Sequence, residues 1–226
     1  MNLRPLSFRT WVEQEALGKR TLLVPLGSFE QHGPHLPFTT DTIIASELAR
    51  RVAEQLHCDV APAIPIGASG EHAGFAGLLS IGNEVLEQVV LEVLRSARST
   101  WASVVLVNGH GGNLAAVTRA VATARYEGSH VVAWFPTDHE GDPHAGATET
   151  SVMLALDPTF VDMSAAVDAP VTSAQMRQVQ VEGIMGVSES GVLGEPSRAN
   201  ADAGHMILHR WVQEIVALVR EVEEST

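Results

Sequence analysis

Ser103-Val104-Val105-Leu106-Val107-Asn108-Gly109-His110-Gly111-Gly112-Asn113 is an apolar, β-branched run that breaks into glycines around a single imidazole. A short continuous apolar run bounded by turn residues reads as a strand buried on both faces. The glycines then form a tight loop, and Asn113 is a residue type that caps helices, here one expected to run to about Tyr126. Strand, tight loop and helix in that order form the repeating unit of a parallel α/β sheet.

The same alternation extends in both directions. Thr21-Leu22-Leu23-Val24-Pro25-Leu26 reads as a second buried strand. A Gly/Pro-rich loop follows it, and then a helix over residues 41–57 with Ile43, Ile44, Leu48, Val52 and Leu56 at helical spacing. Residues 60–66 read as a further strand, weakened by Pro62 and Pro65. A long loop over 67–82 leads to a helix capped by Asn83 and ending near Arg98. Residues 131–135 form another strand, 136–143 a polar loop and 148–156 a helix. The ends of the chain are expected to be helical: 7–17, with Ser7 as cap and Gly18 as stop, and 202–223, with Met206, Ile207, Trp211, Ile215 and Leu218 along one side. Residues 157–198 give no readable period. The expected fold is α/β, a mainly parallel sheet covered on both faces, with its site at the carboxyl ends of the strands.

Composition narrows the function. The 226 residues carry a formal net charge of -13, which repels phosphate backbones and argues against nucleic-acid binding. No segment approaches the ~18 consecutive apolar residues of a membrane span. The first residues lack an apolar signal-peptide core, so a cytoplasmic location is expected. The single cysteine, Cys58, excludes an internal disulfide and reads as inert.

Chemistry-bearing residues gather in segments that follow the β-like runs. Glu30-Gln31-His32 and Asp41 follow the first, His110 the third, and His144 and Glu149 the last. Carboxylates and imidazoles together are the ligand types of a site for one or two divalent metals, and zinc, iron and manganese all suit the mixed oxygen and nitrogen set. Such a metal lowers the pKa of water toward neutrality, the chemistry of a hydrolase. Each residue taken alone also has a plainer reading. Glu30 and His32 suit a solvated loop, Asp41 a helix cap, and Glu149 a first-turn glutamate favoured by the helix dipole. The glycine loop before a helix also suits anion binding, but neither G-x-G-x-x-G nor G-x-x-x-x-G-K-[ST] occurs, so a nucleotide- or anion-binding module is the rival of another class. His205 and His209 share a helix face without the glutamate of H-E-x-x-H, and Ser69 and Ser190 lie outside G-x-S-x-G.

With these residues in view, the chain resembles the creatininase family over nearly its whole length. The resemblance is carried by Val24-Pro-Leu-Gly-Ser-Phe-Glu-Gln-His-Gly-Pro-His-Leu-Pro37, Asp41, Gly67-Ala-Ser-Gly-Glu-His72, the 108–113 loop, His144-Ala-Gly-Ala-Thr-Glu-Thr-Ser151 and Gly191-Val-Leu-Gly-Glu-Pro196. It implies one domain over residues 1–226, a three-layer α/β/α fold, a homo-oligomer and a two-metal amidohydrolase site. Glu30, Asp41 and His110 would hold one ion. His32, Asp41 and a further carboxylate, for which Glu149 is the candidate, would hold the second. His144 would shuttle a proton, with Glu149 beside it, and Ser69, Glu71, His72 and Gly111 would line the substrate side.

Two departures bear on the substrate. Creatinine-hydrolysing members place a glutamate two residues after the histidine of the glycine loop, where this chain has Gly112. They also carry a tryptophan lid before the histidine matching His144, where this chain has Glu140-Gly141-Asp142. The stretches Gly141-Asp-Pro-His-Ala-Gly146 and Ser188-Glu-Ser-Gly-Val-Leu-Gly194 are instead similar to family members that trim a ribosomally made precursor peptide. That similarity implies release of a C-terminal Val-Tyr dipeptide, with hydrolysis of a small cyclic amide or formamide as the alternative.

Overall fold

The structure is a computed structural model that describes residues 5–136 and 142–225. Its sheet has four parallel strands in the order β2-β1-β3-β4, formed by β1 (Thr21–Leu26), β2 (Asp59–Val60), β3 (Ser103–Asn108) and β4 (Val131–Trp134). β1 and β3 pair along their full length, Thr21 opposite Ser103 and Leu26 opposite Asn108, and every residue of both is buried. Their carboxyl ends therefore lie level, and the loops that follow leave side by side.

Side chains alternate across a strand, and the two faces have separate cores. Leu23, Val105 and Val107 pack with residues of α2 (Thr40–Leu56), α5 (Ala147–Leu156) and α7 (Ala201–Glu224), among them Leu48, Met153, Trp211 and Ile215. Leu22, Val24, Leu26, Val104 and Leu106 pack with α3 (Gly82–Ala97) and α4 (Leu114–Tyr126) through Leu86, Val90, Leu94, Val117 and Ala120. The result is the expected three-layer α/β/α arrangement. The chain leaves β1 for α2 on one face and β3 for α4 on the other, which makes the gap between β1 and β3 the switch point where such sheets bind ligands.

Several expectations differ in detail. The N-terminal helix over 7–17 divides into a 3-10 turn at Leu6–Phe8 and α1 (Trp11–Ala16), which starts at a capping box between Thr10 and Glu13. The strand expected over 60–66 shrinks to Asp59–Val60 plus a bridge from Ile64 to Leu26. Pro62 and Pro65 have no N–H to give a ladder. Pro25 is tolerated inside β1 because its carbonyl faces this interrupted edge, where it accepts from the Ile64 N–H at 3.0 Å. α3 begins one residue before Asn83, whose side chain makes no cap. The unreadable stretch contains α6 (Ser173–Glu182), capped by the Thr172–Gln175 box. Most of the loop over 136–143, with the Glu140-Gly141 part of the missing tryptophan lid, lies outside the described residues.

Candidate metal centre at the strand ends

Glycines bring three loops together at the switch point. A Cβ on Gly27, just after β1, would stand 2.6 Å from the Thr42 Cα at the start of α2. A Cβ on Gly109, just after β3, would stand 2.5 Å from the main-chain oxygen of Asp41. Only hydrogen fits at either position, so both loops press on the helix start that carries Asp41. Asn113 does not cap α4, as the sequence implied. Its amide donates to the Gly27 carbonyl and to Asn108 Oδ1, both at 3.0 Å, and its Oδ1 accepts from the Ala68 N–H at 2.9 Å. One buried side chain thus ties the loops after β1, β2 and β3.

Glu30, His32, Asp41, His72, His110 and His144 are all buried in the space these loops enclose. Asp41 Oδ1 lies 3.0 Å from His32 Nε2, and Oδ2 accepts from Ser28 Oγ at 2.7 Å and lies 3.2 Å from His110 Nδ1. Glu30 Oε2 lies 3.2 Å from His110 Nε2, and Oε1 lies 2.9 Å from His72 Nε2 and 3.8 Å from His144 Nδ1. Despite these distances neither oxygen of Glu30 has a hydrogen-bond partner, because the imidazoles meet the carboxylate out of line. A fully buried carboxylate without an aligned donor is costly and needs an explanation. Donors held about 2.0–2.2 Å from a common ion stand roughly 3 Å apart and aim at the ion rather than at each other. The orphaned oxygens and the donor types therefore fit a metal.

Among the described residues, three groups of donors have their ligand atoms mutually within 4.8 Å: Glu30, Asp41 and His110; His32, His144 and Glu149; and Glu30, His72 and His144. The first is the set expected for one ion. The second unites His32 with Glu149, the expected partner carboxylate, but brings in His144 where the sequence put Asp41. His144 sits just before a strained corner, since Ala145 has φ of 52°, and its strip is pinned by an antiparallel bridge to Leu193. Glu149 accepts from the Ala145 N–H at 2.6 Å, and Asp142 caps α5 by accepting from the N–H groups of Ala147 and Thr148.

The electrostatics divide the cluster. Burial pushes the Glu30 carboxyl up, but His110 and His72 prevail and hold it well below the ordinary range. Burial likewise opposes ionisation of Asp41, and His32 overcomes it. Burial disfavours a proton on His32, yet Asp41 raises that ring to about 10. Glu30 and Asp41 likewise raise His110 against its burial. His144 moves the other way, lowered by burial and by His32 and His72. Burial pushes Glu149 up to about 7. His144 Nε2 lies 2.8 Å from the main-chain oxygen of Gln31, an acceptor only, so a neutral His144 carries its proton there and turns an open Nδ1 toward Glu30.

A cavity of about 900 Å³ opens on this cluster, lined by Glu71, His72, His110, Gly111, His144 and Glu149 and by Met176, Val179, Ile184 and Leu193. Glu71, His72 and Gly111 thus reach the side expected for substrate. His72 also belongs to the donor cluster. Ser69 is fully buried, is not among the lining residues, and its hydroxyl has no partner among the described residues. Glu71 Oε1 lies 3.3 Å from His110 Nε2, and a Cβ on Gly112 would come within 2.4 Å of that same oxygen. The absent side chain at 112 leaves room for the Glu71 carboxylate.

Sequence reading missed Ser28, Gln31 and His35. Gln31 lies between two residues already singled out and Ser28 two positions before the first of them, but nothing in their spacing showed which way they face. His35 Nε2 meets Thr150 Oγ1 at 2.9 Å, across 115 residues of chain.

Residues 7–219 match the creatininase family, described as creatinine amidohydrolase. The mycofactocin precursor peptide peptidase of Mycobacterium tuberculosis is 46% identical over 215 residues, 88% of this chain and 84% of the relative. The creatinine amidohydrolase of Pseudomonas putida is 30% identical over 245 residues, 94% of each chain. Among solved structures, a mutant creatininase of Zn-Zn type superposes with a TM-score of 0.81 at 28% identity, covering 97% of this chain and 98% of the other. The manganese form of creatininase superposes with a TM-score of 0.79 at 28% identity, covering 96% and 97%.

Proposed function

Because this chain belongs to the creatininase family, we propose that it is a metal-dependent peptidase that trims the tail of a ribosomally made precursor peptide. Family membership makes it a hydrolase of amide bonds. The similarity to a mycofactocin precursor peptide peptidase supports that precursor as substrate, and the sequence resemblance implies a C-terminal Val-Tyr dipeptide as the fragment released. The observation that favours a peptide over a small ring is the cavity. About 900 Å³ lies near the top of the ~300–1,000 Å³ range of ligand pockets, and Met176, Val179 and Ile184 give it an apolar wall. We place the protein in the cytoplasm and, on the family resemblance alone, take it to be a homo-oligomer.

Glu30, Asp41 and His110 would hold one divalent ion, and His32, Asp41 and Glu149 the second, with Asp41 between them. Zinc and manganese have precedent in the creatininase structures, and iron suits the same donors. When bound, such ions polarise a scissile carbonyl and lower the pKa of water toward neutrality. The rest falls to the chain. Ser28 orients Asp41 through its 2.7 Å hydrogen bond. His144, held neutral and with Nδ1 open, accepts a proton at that atom and returns it to the leaving amine. Glu71, His72 and Gly111 contact the peptide, and the wall from α6 shields the bond from bulk water.

The test is mass spectrometry of the zinc- or manganese-loaded protein with the modified precursor peptide, beside creatinine and a formamide. Loss of a short C-terminal fragment is expected. An intact peptide together with rapid creatinine or formamide hydrolysis would replace the peptide reading with the small-amide one.

A further inference from the structure

Glu30 is shared by two of the three donor groups, and distance alone leaves His72 and His110 equally eligible beside it. The discriminating residue is Gln31. Its side chain is buried, with Oε1 accepting from the Gly33 N–H at 2.7 Å and Nε2 donating to the Gly191 carbonyl at 3.0 Å. These two bonds fix the orientation of the amide. A flipped amide would set NH₂ against the Gly33 N–H and its oxygen against the Gly191 carbonyl.

With that orientation set, the second hydrogen on Nε2 has two neighbours, His72 Nδ1 at 3.1 Å and His144 Nε2 at 3.2 Å. His144 Nε2 already donates to the main-chain oxygen of Gln31 at 2.8 Å and offers no lone pair. The hydrogen therefore goes to His72 Nδ1, which must be the unprotonated nitrogen of that ring. A neutral imidazole carries one proton, so the proton of His72 is on Nε2, the atom 2.9 Å from Glu30 Oε1.

We infer that Gln31 is a positioning residue that bars His72 from the metal by keeping the proton of that ring on Nε2, out of line with Glu30 and toward the cavity, while it leaves Nδ1 of His144 open. An imidazole with a proton on the nitrogen facing an ion cannot ligate it, so the group of Glu30, His72 and His144 is closed. Glu30 is left to the group with Asp41 and His110. The glutamine thereby selects among donors that distance does not separate. Gly191 fits the same purpose. It has φ of 79°, and a Cβ there would fall 2.0 Å from Gln31 Oε1, so the Ser188–Gly194 loop can close on the amide only with glycine at this position.

The inference concerns histidine tautomers and needs neither the metal's identity nor the substrate. The experiment is nitrogen NMR of protein labelled with [15N]histidine, metal-free and zinc-loaded. In the unsubstituted protein His72 should give a pyridine-type Nδ1 and a pyrrole-type Nε2, in both states. In Gln31→Glu, a residue that only accepts, the His72 Nδ1 signal should shift to the pyrrole type. In Gln31→Met, which neither donates nor accepts, both tautomers should appear. His144 should keep its proton on Nε2 throughout, because its acceptor is main chain, and a general loosening would disturb both rings. A proton on His72 Nδ1 in the unsubstituted protein, or zinc on its Nε2, overturns the inference without needing any variant. Protein that takes up no zinc refutes the metal site instead, and leaves the tautomers readable.

Discussion

Gly112→Ala tests the packing of the site with a single methyl. A Cβ at 112 would meet Ala68 O, Glu71 Oε1 and His110 Nε2, each at 2.4 Å. Contacts of that length cannot stand, and the three neighbours differ in freedom. Glu71 is partly exposed and can swing away. Ala68 is held through its N–H by Asn113, and the other nitrogen of the His110 ring is engaged 3.2 Å from Asp41. The methyl must therefore turn His110 or part the loops after β2 and β3. Overpacking of this kind costs about 1–3 kcal/mol. At roughly 2–4 °C per kcal/mol for a chain of this size, the melting temperature should fall by about 2–12 °C. Zinc should also protect the variant less, since a displaced His110 weakens the site and stabilisation by a ligand follows its affinity. Calorimetry of metal-free and zinc-loaded protein measures both effects. Gly111→Ala is the control, because nothing lies within 4 Å of its Cβ, and its stability should stay within about 0.5 kcal/mol. Adding Glu71→Ala to Gly112→Ala should restore little, because only the movable neighbour is removed. If Gly112→Ala melts and binds zinc like the unsubstituted protein, the three groups are not packed as described.

Asp41→Ala should lose most of its metal by elemental analysis, and undiminished content would count against Asp41 as the shared ligand. His144→Ala should keep its metal and lose about 10²–10⁴-fold in turnover, whereas loss of metal would make His144 a ligand. His32 is raised to about 10 in the metal-free protein, so near neutrality a metal must displace its proton. Zinc affinity should therefore climb with pH, by up to about tenfold per unit for each proton displaced. The metal-free protein should show the opposite trend: the stability lent by protonated His32 is complete below the unfolded value of ~6.5 and lost as pH rises through about 10, seen as a falling melting temperature absent from the loaded protein. Cys58 is pushed up to about 12 by burial and then by Glu223, so thiol reagents should modify it negligibly at about pH 8 unless the chain unfolds.

Much of the fold was legible because its signals are local. β3 and β1 are apolar runs ending in turn residues, and α2, α3 and α7 keep their apolar residues at helical spacing. The residues of the donor cluster were visible because each follows a strand, and a parallel sheet gathers its strand ends. α6 was missed because none of its residues is buried, so it carries no apolar stripe, although Thr172-Ser-Ala-Gln175 spelled its cap. What decides the roles within the site was not legible. Gln31 meets Gly191 across 160 residues and His144 across 113, and no period or spacing encodes contacts of that range. Asn113 shows the same limit from the other side: its type suits a cap, and the structure spends its amide on joining three loops.

The cluster also shows how the chain folds before a metal arrives. Glu30 and Asp41 are buried and Glu149 is half-buried at the cavity's edge, and uncompensated burial of a carboxylate would cost several kcal/mol. The directions of the pKa shifts show what offsets this cost. Protons collect on His32 and His110, the rings that face Asp41 and Glu30, and Glu149 takes up a proton near neutrality. Burial, joined by His32 and His72, denies one to His144. In the metal-free protein, then, the positive charge sits on the imidazoles that the proposed ions would engage, and the ring without it is the one proposed to carry protons. Protons and metal are alternative counter-charges for one set of carboxylates. Loading with the proposed metal would exchange one for the other without rebuilding the loops, because Asn113, Ser28 and the glycines that fix those loops titrate in neither state.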